Sequence, residues 1–539
     1  MLHSSFLILA ALVTQDSWSA LPLPRICEEP MAGHQRARMS GARHLLLDDA
    51  SLPRASRPRA SLAAGDLGAL LQQCATDQAG SLRISPYSPP LYVQGNAADL
   101  KWARGVVEAI DEAGQRRELS VSAWLIPDTV AVAPSADGTL PEGSEQWHQS
   151  LTSGKQLSFG GRLRQDFVAS YDVEVASHSG VAAPIIGQVT SGRSLHLGVS
   201  RVDGGTRYHL RGRLDLAVLD SLESFDPGTP DLGLFTQPVV HSVSLSFSAV
   251  GDMGSFQRIQ LQGGPSGIDD CTLWIRVEGA PEPVGARTAG SAVGHDWRAV
   301  EVSLLERRPP DFQAVLPGAG LSGSGQLAAV APAAAPISAA GVLGAIQGVG
   351  RSGRDRGSRT SDGGRTPMQV CEGLLLIAAS ETIPGQAEHV SEFVRAAEAP
   401  KLQSSQVDLQ LGSLKVSFPS AFGEVARLWA GSERTFVTGY NSEIAPNSWM
   451  PAPKVEFALD GLAWQGRLDA HGFPMEAWAA STQEVQTLSR EDVQLGAVQL
   501  PKRRIQSAGL KLLANGEAHV FWGAGAQGAE FTATATVPD

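Results

Sequence analysis

The stretch Phe167–Ala176 (FVASYDVEVA) returns later in the chain as Phe436–Ala445 (FVTGYNSEIA). The two stretches align without a gap as far as Gly192 and Gly461. Nine of the aligned pairs are identical, and in the first copy they are Phe167, Val168, Tyr171, Glu174, Ala176, Ser179, Ala183, Pro184 and Gly192. A match of this length at one constant offset indicates an internal duplication.

An earlier block of the sequence is duplicated in the same order. Leu91–Gly114 aligns with Leu375–Glu398 without a gap, at a slightly larger offset than the first match. The repeat is much longer than the 20–50 residues that are typical of a solenoid unit. We therefore interpret the chain as two copies of a two-part unit, with the second copy shorter between its two blocks.

The earlier block has the pattern of a small α/β module. Strands are predicted at Leu91–Val93 and Leu119–Leu125, with a helix between them from about 98 to 113. The helix face is apolar at every third or fourth position, which is the helical period, and its residues are Leu100, Ala103, Val106, Val107 and Ile110. The second copy repeats this pattern, with a helix at 387–397 between strands 374–378 and 407–411. A further short helix is predicted at 66–74.

The later block has the two-residue period of β-strands. Apolar and polar residues alternate over Tyr208–Val218, so one face of this strand is expected on a core and the other in water. Serines alternate with apolar residues over Ser242–Ser248 in a second strand. A turn at Gly251–Gly254 is predicted to return the chain into Phe256–Gln262. A tight hairpin is predicted at Asn515-Gly516, because Asn-Gly tolerates positive φ. The predicted fold class is α+β, as two copies of a small α/β module followed by a β-rich domain.

Composition and charge exclude several classes of protein. The chain has 539 residues, with 43 Lys+Arg against 55 Asp+Glu and a formal net charge of −12. A nucleic-acid surface needs a basic face that displaces counterions from phosphate, so no nucleic-acid partner is expected. With 42% hydrophobic and 18% charged residues, the chain is too polar for a helical membrane bundle.

The N-terminus has the layout of a secretory signal peptide over residues 1–20. Phe6–Val13 is an apolar run that is too short to span a bilayer as a helix, and small residues follow at Ser17–Ala20. The alternative interpretation is a short buried apolar segment. We expect an exported protein in which residues 21–43 are disordered.

An uncharged segment separates the two copies. Phe312–Gly350 is dominated by Gly, Ala, Pro and Val, and a tract of Arg, Ser, Gly and Asp follows it over Arg351–Arg365. A membrane helix and a linker are the two interpretations of this composition. Pro332, Pro336 and the many Gly and Ala residues favour a linker over 312–367.

No pattern in the sequence indicates catalysis, and we predict no catalytic, cofactor-binding or metal-ligating residue. The G-x-G-x-x-G stretch Gly318–Gly323 lies in the linker, whereas that motif binds nucleotides only between a strand and a helix. The acidic pairs at 48–49 and 269–270 fit solvated turns better than a catalytic carboxylate pair. The duplicated Tyr171 and Tyr440 fit strand residues with tied hydroxyl groups better than a reactive site.

The cysteines also give no sign of a metal site. Metal clusters need ligands at short local spacing, and the four cysteines lie far apart at Cys27, Cys74, Cys271 and Cys371. In an exported protein they allow up to two disulfides by any of three pairings. Isolated buried thiols are the other interpretation.

The order of these patterns resembles the secretin family. Segments of the first copy are similar to a secretin N-domain, in which a strand ending in "v-x-g" precedes a helix, and they are Gly80–Ile84, Leu91–Asn96 and Val106–Asp111. Segments of the β block resemble the secretin homology domain, and they are Gln165–Ala176, Pro184–Ile186, Gly192, Gly263-Gly264 and Cys271–Val277. The likeness covers most of 44–280 and, more faintly, 368–535.

This resemblance implies an exported, non-enzymatic envelope protein, which acts as a scaffold or a component of a secretion or surface assembly. It places the protein in the periplasm or at the outer membrane or cell surface, with no cofactor. Protein partners in the cell envelope are expected, and these partners can include further copies of the chain in a homo-oligomer. The resemblance leaves open whether the protein associates with a membrane. The alternative function is a soluble periplasmic or surface binding module with no secretion role.

The predicted domains follow from the repeat and from this resemblance. They are a signal peptide (1–20), a disordered segment (21–43), an α/β module (44–126), a β-rich secretin-like domain (127–311), an Ala/Gly/Pro linker (312–367), a second α/β module (368–411) and a second β-rich domain (412–535).

Overall fold

A computed structural model gives the structure of part of the chain. The residues it describes are 17–21, 83–85, 91–95, single positions between 97 and 107, 118–127, 134, 140–279 apart from 155, 203–205 and 230–231, 289–292, 295–301, 368–371, 374–380, 403–488 apart from 447 and 469–472, 497–512, 517–521 and 530–535.

The described residues form strands almost throughout. In chain order the strands are β1 Ser17–Leu21, β2 Arg83–Ser85, β3 Leu91–Gly95, β4 Glu118–Pro127, β5 Glu145–Thr152, β6 Gln156–Ala176, β7 Ser179–Val202, β8 Arg207–Phe225, β9 Phe235–Asp252, β10 Phe256–Gln262, β11 Cys271–Gly279, β12 Ala289–Ala292, β13 His295–Glu301, β14 Met368–Cys371, β15 Leu374–Ser380, β16 Ser404–Leu411, β17 Leu414–Ala421, β18 Val425–Ala445, β19 Ser448–Arg467, β20 Phe473–Leu488, β21 Val498–Leu512, β22 Glu517–Phe521 and β23 Glu530–Ala535.

The predicted α+β fold class is therefore wrong, and the fold of the described residues is β. Helical conformation is described only at single positions between 97 and 107, where Ala103 and Val107 are buried. The predicted helices at 66–74 and 387–397 lie outside the described residues. The two β blocks contribute strands of up to 24 residues. The strands predicted at 119–125 and 407–411 in the α/β modules are confirmed within β4 and β16.

Two eight-stranded antiparallel sheets make up most of the structure. The first, here called the long sheet, has the strand order β21-β20-β19-β18-β9-β8-β7-β6. The second, here called the short sheet, has the order β22-β23-β16-β17-β10-β11-β4-β5. Each sheet takes four neighbouring strands from each copy, so the two copies are joined edge to edge in both sheets.

The sequence repeat is also a structural repeat. In the β6–β7 hairpin the register shifts between Val168 and Ser170, and in β18–β19 it shifts between the aligned Val437 and Gly439. The next hairpins, β8–β9 and β20–β21, also carry one shift each. A bulge bends its strand and increases the local twist, so the same positions shape both copies.

One hydrophobic core lies between the long and the short sheets. It combines alternate residues of both sheets and of both copies, such as Leu125 and Leu245 of the first copy and Leu409 and Leu428 of the second. The alternation predicted for β8 is confirmed on this side, since Tyr208, Leu210 and Leu214 are buried in the core. The serine-alternating strand β9 likewise places its apolar residues in the core.

The opposite face of β8 departs from the prediction. His209, Arg213 and Asp215 were expected in water, but they are at most 3% exposed. The long sheet curls, so that β6 packs against β18 and β19 as well as β7. At the hairpins, Val173 and Met450 meet in a second cluster that joins the two copies. This curl covers the polar face, which periodicity along one strand does not reveal.

The strands that flank the turns predicted at Gly251–Gly254 and Asn515-Gly516 do not pair with each other, for a related reason, and Asn515-Gly516 itself lies outside the described residues. The chain leaves β9 in the long sheet and enters β10 in the short sheet, where β10 pairs with β11 and β17. It makes the equivalent change of sheet between β21 and β22. Gly254 lies in the predicted turn with a positive φ of 82°, but this turn connects the two sheets.

Two small sheets come from the segments preceding each β block. Their strand orders are β1-β3-β2 and β12-β13-β15-β14. In each sheet the strand from the aligned block, β3 or β15, lies between one strand on either side. The predicted strands at Leu91–Val93 and Leu374–Ala378 are confirmed as parts of β3 and β15. Strand β1 includes the last four residues of the predicted signal peptide. The apolar run of that signal peptide, Phe6–Val13, and the predicted linker over 312–367 lie outside the described residues.

No helix among the residues described is both long enough and apolar enough to cross a membrane. The predicted domain boundaries stay predictions.

Candidate assembly interface

The polar residues singled out in the sequence have structural contacts in the described part of the chain. The Tyr171 hydroxyl donates to the Leu234 carbonyl at 3.3 Å, and the Tyr440 hydroxyl donates to the Ala497 carbonyl at 3.0 Å. Each tyrosine therefore ties its hairpin to the segment just before the fourth strand of its own copy. Burial raises the pKa of Tyr440 to about 12, which keeps the hydroxyl protonated.

Cys271 and Asp270 also have structural contacts in the described part of the chain, whereas Cys27, Cys74 and the acidic pair at 48–49 lie outside it. Cys271 is a free, buried thiol, and burial raises its pKa to about 12, so it is a poor nucleophile. Asp270 accepts a hydrogen bond from the Gly263 backbone at 2.7 Å. Within the ranges described above, no group of His, Cys, Asp and Glu side chains could hold a metal ion.

The arrangement that stands out is the seam between the two copies in the long sheet. Strand β9 of the first copy pairs with β18 of the second, from Ser246 opposite Arg427 to Val239 opposite Arg434. Leu245 and Leu428 face each other at this seam and are fully buried. The seam is thus a protein–protein interface contained within one chain.

A row of buried serines on β9 adds side-chain hydrogen bonds to this seam. The Trp429 indole N–H donates to Ser242 Oγ at 3.0 Å, and the Arg427 backbone N–H donates to Ser246 Oγ at 2.9 Å. The Ala421 N–H donates to Ser248 Oγ at 2.9 Å. Sequence reasoning missed this role, because alternating serines are typical of a solvated strand face.

The same seam continues in the short sheet. Strand β10 pairs with β17 through Gln260 opposite Ser417 and the next two pairs. Gly263 follows with a φ of 64°, and a Cβ atom there would collide with the Ser413 backbone carbonyl. Only glycine combines this conformation with so close an approach. The first glycine of the Gly263-Gly264 pair therefore serves the joint between the copies.

A buried polar cluster lies next to the long-sheet seam. Asp215 accepts hydrogen bonds from Ser244 Oγ at 2.6 Å and from Arg213 Nε at 2.9 Å. His196 lies 3.8 Å away, with its other nitrogen 2.7 Å from Ser158 Oγ. Burial lowers the pKa of His196 to about 4, and this outweighs the opposing effect of Asp215. The negative charge of Asp215 is therefore neutralised chiefly by the Arg213 guanidinium, which forms the closest ion pair with it.

Each sheet ends in strands that pair on one side only. Among the strands that the structure describes, β6 and β21 close the ends of the long sheet, and β5 and β22 close those of the short sheet. On β6, most residues from Ser158 to Asp166 are exposed. Such edges present backbone N–H and C=O groups that a further strand can bind.

Exposed apolar side chains lie mostly toward the turns of the long-sheet hairpins. They stand on all four hairpins, and they are Val181, Ile185, Ile186, Leu234, Ile444, Val485, Leu488 and Leu500. The small exposed residues Ala183 and Pro184 extend this surface on β7. We call these residues the hairpin-end surface. Apolar residues gathered in this way are typical of a surface that contacts another protein or a membrane.

Comparisons with known proteins add a distant likeness. No protein-family model matches the chain, and no curated protein matches its sequence. Among solved structures, the chain is similar to the InvG secretin domain of the Salmonella SPI-1 injectisome. The sequence identity is 11%, the match covers 38% of this chain and 74% of that chain, and the TM-score is 0.21. It is also similar to a chain of the ETEC pilotin–secretin complex AspS–GspD. There the sequence identity is 12%, the match covers 40% of this chain and 60% of that chain, and the TM-score is 0.22. At these TM-scores the likeness implies no function.

Proposed function

We propose that this chain is an exported, non-enzymatic, secretin-like envelope protein that acts as a scaffold or component of a secretion or surface assembly. The observation that carries the proposal is that, among the described strands, those at both ends of the two extended sheets pair on one side only. Edges of this kind bind protein partners by adding strands to the sheet. The internal seam gives such pairing a precedent, because it already joins four strands to four strands in each sheet.

The hairpin-end surface supports an envelope location. Ile185 and Ile186 are 39% and 50% exposed, and Leu488 and Leu500 are 51% and 42% exposed on another hairpin. Leaving several large apolar side chains half in water is unfavourable, at about 1 kcal/mol for each one that a partner would cover. An apolar partner in the envelope, either protein or lipid, would cover them.

A second candidate function is a soluble periplasmic or surface binding module. It is favoured by the burial of both faces of the long sheet around β8, where Leu214 and Asp215 are both at most 3% exposed. A sheet covered on both faces needs no further layer there. The two candidates differ in what they expect of the hairpin-end surface, which a soluble module would leave in water.

Cell fractionation of the tagged full chain tests the proposal. We expect the chain in the envelope fraction, in a complex larger than one chain, and released by detergent. The double variant Ile185→Ser, Ile186→Ser should move to the soluble fraction, whereas Ser179→Ala on the same hairpin should not. Recovery of the unchanged chain as a soluble monomer would contradict the proposal and favour the binding module.

A further inference from the structure

We propose that a cavity between the two large sheets binds a small apolar α-amino acid. The cavity has a volume of about 150 Å³ and is lined by parts of β4, β7, β8 and β11 and by the loop between β10 and β11. Its lining includes no residue of the end strands of the sheets or of the hairpin-end surface. The inference therefore concerns a binding site that the proposed function does not use.

The inner walls of the cavity are apolar. Leu125 of the short sheet and Leu216 of the long sheet form two of these walls, and Ile268 of the β10–β11 loop forms a third. All three side chains are buried. Protein interiors leave few voids of this size, and an apolar cavity of about 150 Å³ can hold a ligand as large as benzene. A branched side chain of four carbons therefore fits.

The β10–β11 loop that carries Ile268 and Asp269 is held at several points. The Ile268 backbone N–H donates to the Pro265 carbonyl at 3.1 Å. The Gly263 backbone N–H donates to the Asp270 carboxylate at 2.7 Å. The loop thus fixes one wall of the cavity and the carboxylate next to it, which reduces the ordering that a ligand must impose.

Two opposite charges line the same cavity, on Arg193 and on Asp269. Arg193 Nη1 lies 3.2 Å from Glu145 Oε1 and 3.4 Å from the Gly143 carbonyl. Among the described residues the contacts of Arg193 all use Nη1, so Nε and Nη2 can donate to a ligand. Asp269 is exposed, and within the same ranges its carboxylate makes no hydrogen bond or ion pair. A guanidinium and a carboxylate are thus both available to a ligand.

The fields of both charges reach the interior of the cavity. Cys271 lines the cavity with a buried thiol. Burial raises the pKa of Cys271, Arg193 opposes this rise, and Asp270 and Asp269 add to it. A ligand in the cavity therefore meets charges of both signs.

An α-amino acid matches this arrangement, because it carries an ammonium and a carboxylate on one carbon atom next to its side chain. Its carboxylate would accept hydrogen bonds from Arg193, and its ammonium would donate to Asp269. An apolar side chain would enter the space beside Leu125 and Leu216. A few polar groups at an otherwise apolar cavity are typical of small-molecule sites. A ligand with a single charge would leave one of the two charged groups without a partner.

Isothermal titration calorimetry of the purified full chain tests the ligand class. We expect saturable binding of leucine. N-acetyl-leucine lacks the ammonium and leucinamide lacks the carboxylate, so each should bind at least about ten-fold more weakly. Glycine keeps both charges but has no side chain for the apolar walls, and it should also bind at least about ten-fold more weakly.

Two variants test the role of each charge. Arg193→Gln should weaken leucine binding at least about ten-fold and change leucinamide binding little, because leucinamide has no carboxylate to lose. Asp269→Asn should likewise weaken leucine binding and change N-acetyl-leucine binding little. Arg207→Gln is the matched control for Arg193, since Arg207 is similarly exposed and ion-paired, to Asp252, but does not line the cavity. This control should leave leucine binding unchanged.

The results that would overturn the inference are distinct from those that bear on the proposed function. A chain that does not bind leucine saturably, or binds glycine equally well, would overturn the inference. Equal weakening of leucine and leucinamide binding by Arg193→Gln would overturn it too, because the guanidinium would then not act on the carboxylate. None of these results would change the envelope fractionation, so the proposed function would stand.

Discussion

Gly263 is the residue at which the backbones of the two copies come together in the short sheet. Its φ of 64° and the neighbouring Ser413 carbonyl both exclude a larger side chain. We expect Gly263→Ala to lower the free energy of unfolding by about 1–3 kcal/mol, from backbone strain and displacement of the seam. Urea unfolding followed by tryptophan fluorescence would measure this loss.

Gly412 provides the matched control for Gly263. Its φ of 63° is almost the same, but a Cβ atom there would meet nothing within 4 Å. Gly412→Ala should therefore cost only the backbone strain, about 1 kcal/mol. Equal losses in the two variants would show that the close approach to Ser413 does not matter.

His196 makes the stability of the protein depend on pH. Its pKa is about 4 in the folded chain and 6.5 ordinarily, chiefly because burial disfavours the charged ring, while Arg213 and Arg162 act in the same direction and Asp215 opposes them. The unfolded chain therefore binds the proton first. The contribution of the neutral His196 ring to the free energy of unfolding is therefore fully present above pH 6.5. It falls by up to about 3 kcal/mol as the pH approaches 4.

The substitution His196→Gln tests this dependence. It removes the titrating ring and keeps a polar group near Ser158, so the free energy of unfolding should fall less between pH 6.5 and 4 than in the unchanged chain. The exposed His148 offers a control, since His148→Gln should leave the acid-induced loss unchanged. An identical pH dependence in the His196 variant would contradict the role given to this residue.

At the scale of single elements, β9 shows how one strand serves two purposes. Its apolar positions face the core, and its serines Ser242, Ser246 and Ser248 accept hydrogen bonds from the neighbouring copy. Ser246→Ala would leave the Arg427 backbone N–H without its acceptor on the Ser246 side chain. We expect a loss of about 0.5–1.5 kcal/mol in the free energy of unfolding, because one part-buried hydrogen bond is lost.

Chemical denaturation would measure the Ser246→Ala loss. Ser224→Ala on β8 removes a hydroxyl from an exposed strand position, and it should change stability by less than about 0.5 kcal/mol. A Ser246→Ala variant as stable as the Ser224→Ala variant would show that the serine row adds nothing to the seam.

At the scale of the whole molecule, the shared core predicts that the two copies unfold together. Leu245 of the first copy lies opposite Leu428 of the second, and both belong to the core between the sheets. Leu245→Ala should lower the free energy of unfolding by about 2–5 kcal/mol. Hydrogen exchange should show protection falling in both copies to the same extent. A loss confined to the first copy would show that the copies are independent units.

The amino-acid sequence by itself determined the duplication and the position of individual strands. Phe167–Gly192 and Phe436–Gly461 carry the repeat openly, and the alternation over Tyr208–Val218 marks a strand with one face in the core. These features are local, because side-chain periodicity follows from the geometry of a single strand. The same local pattern led to the wrong α+β class, since it does not weigh short modules against long hairpins.

Only the tertiary structure decided how the two copies meet. The change of sheet after β9 and after β21, the burial of Asp215 and the role of the β9 serines all depend on segments far apart in the chain. Strand edges are satisfied by backbone hydrogen bonds that any sequence can form, so residue pattern says little about which edge pairs with which. The seam follows from that pairing, and therefore from the way the described strands of the two copies pack together.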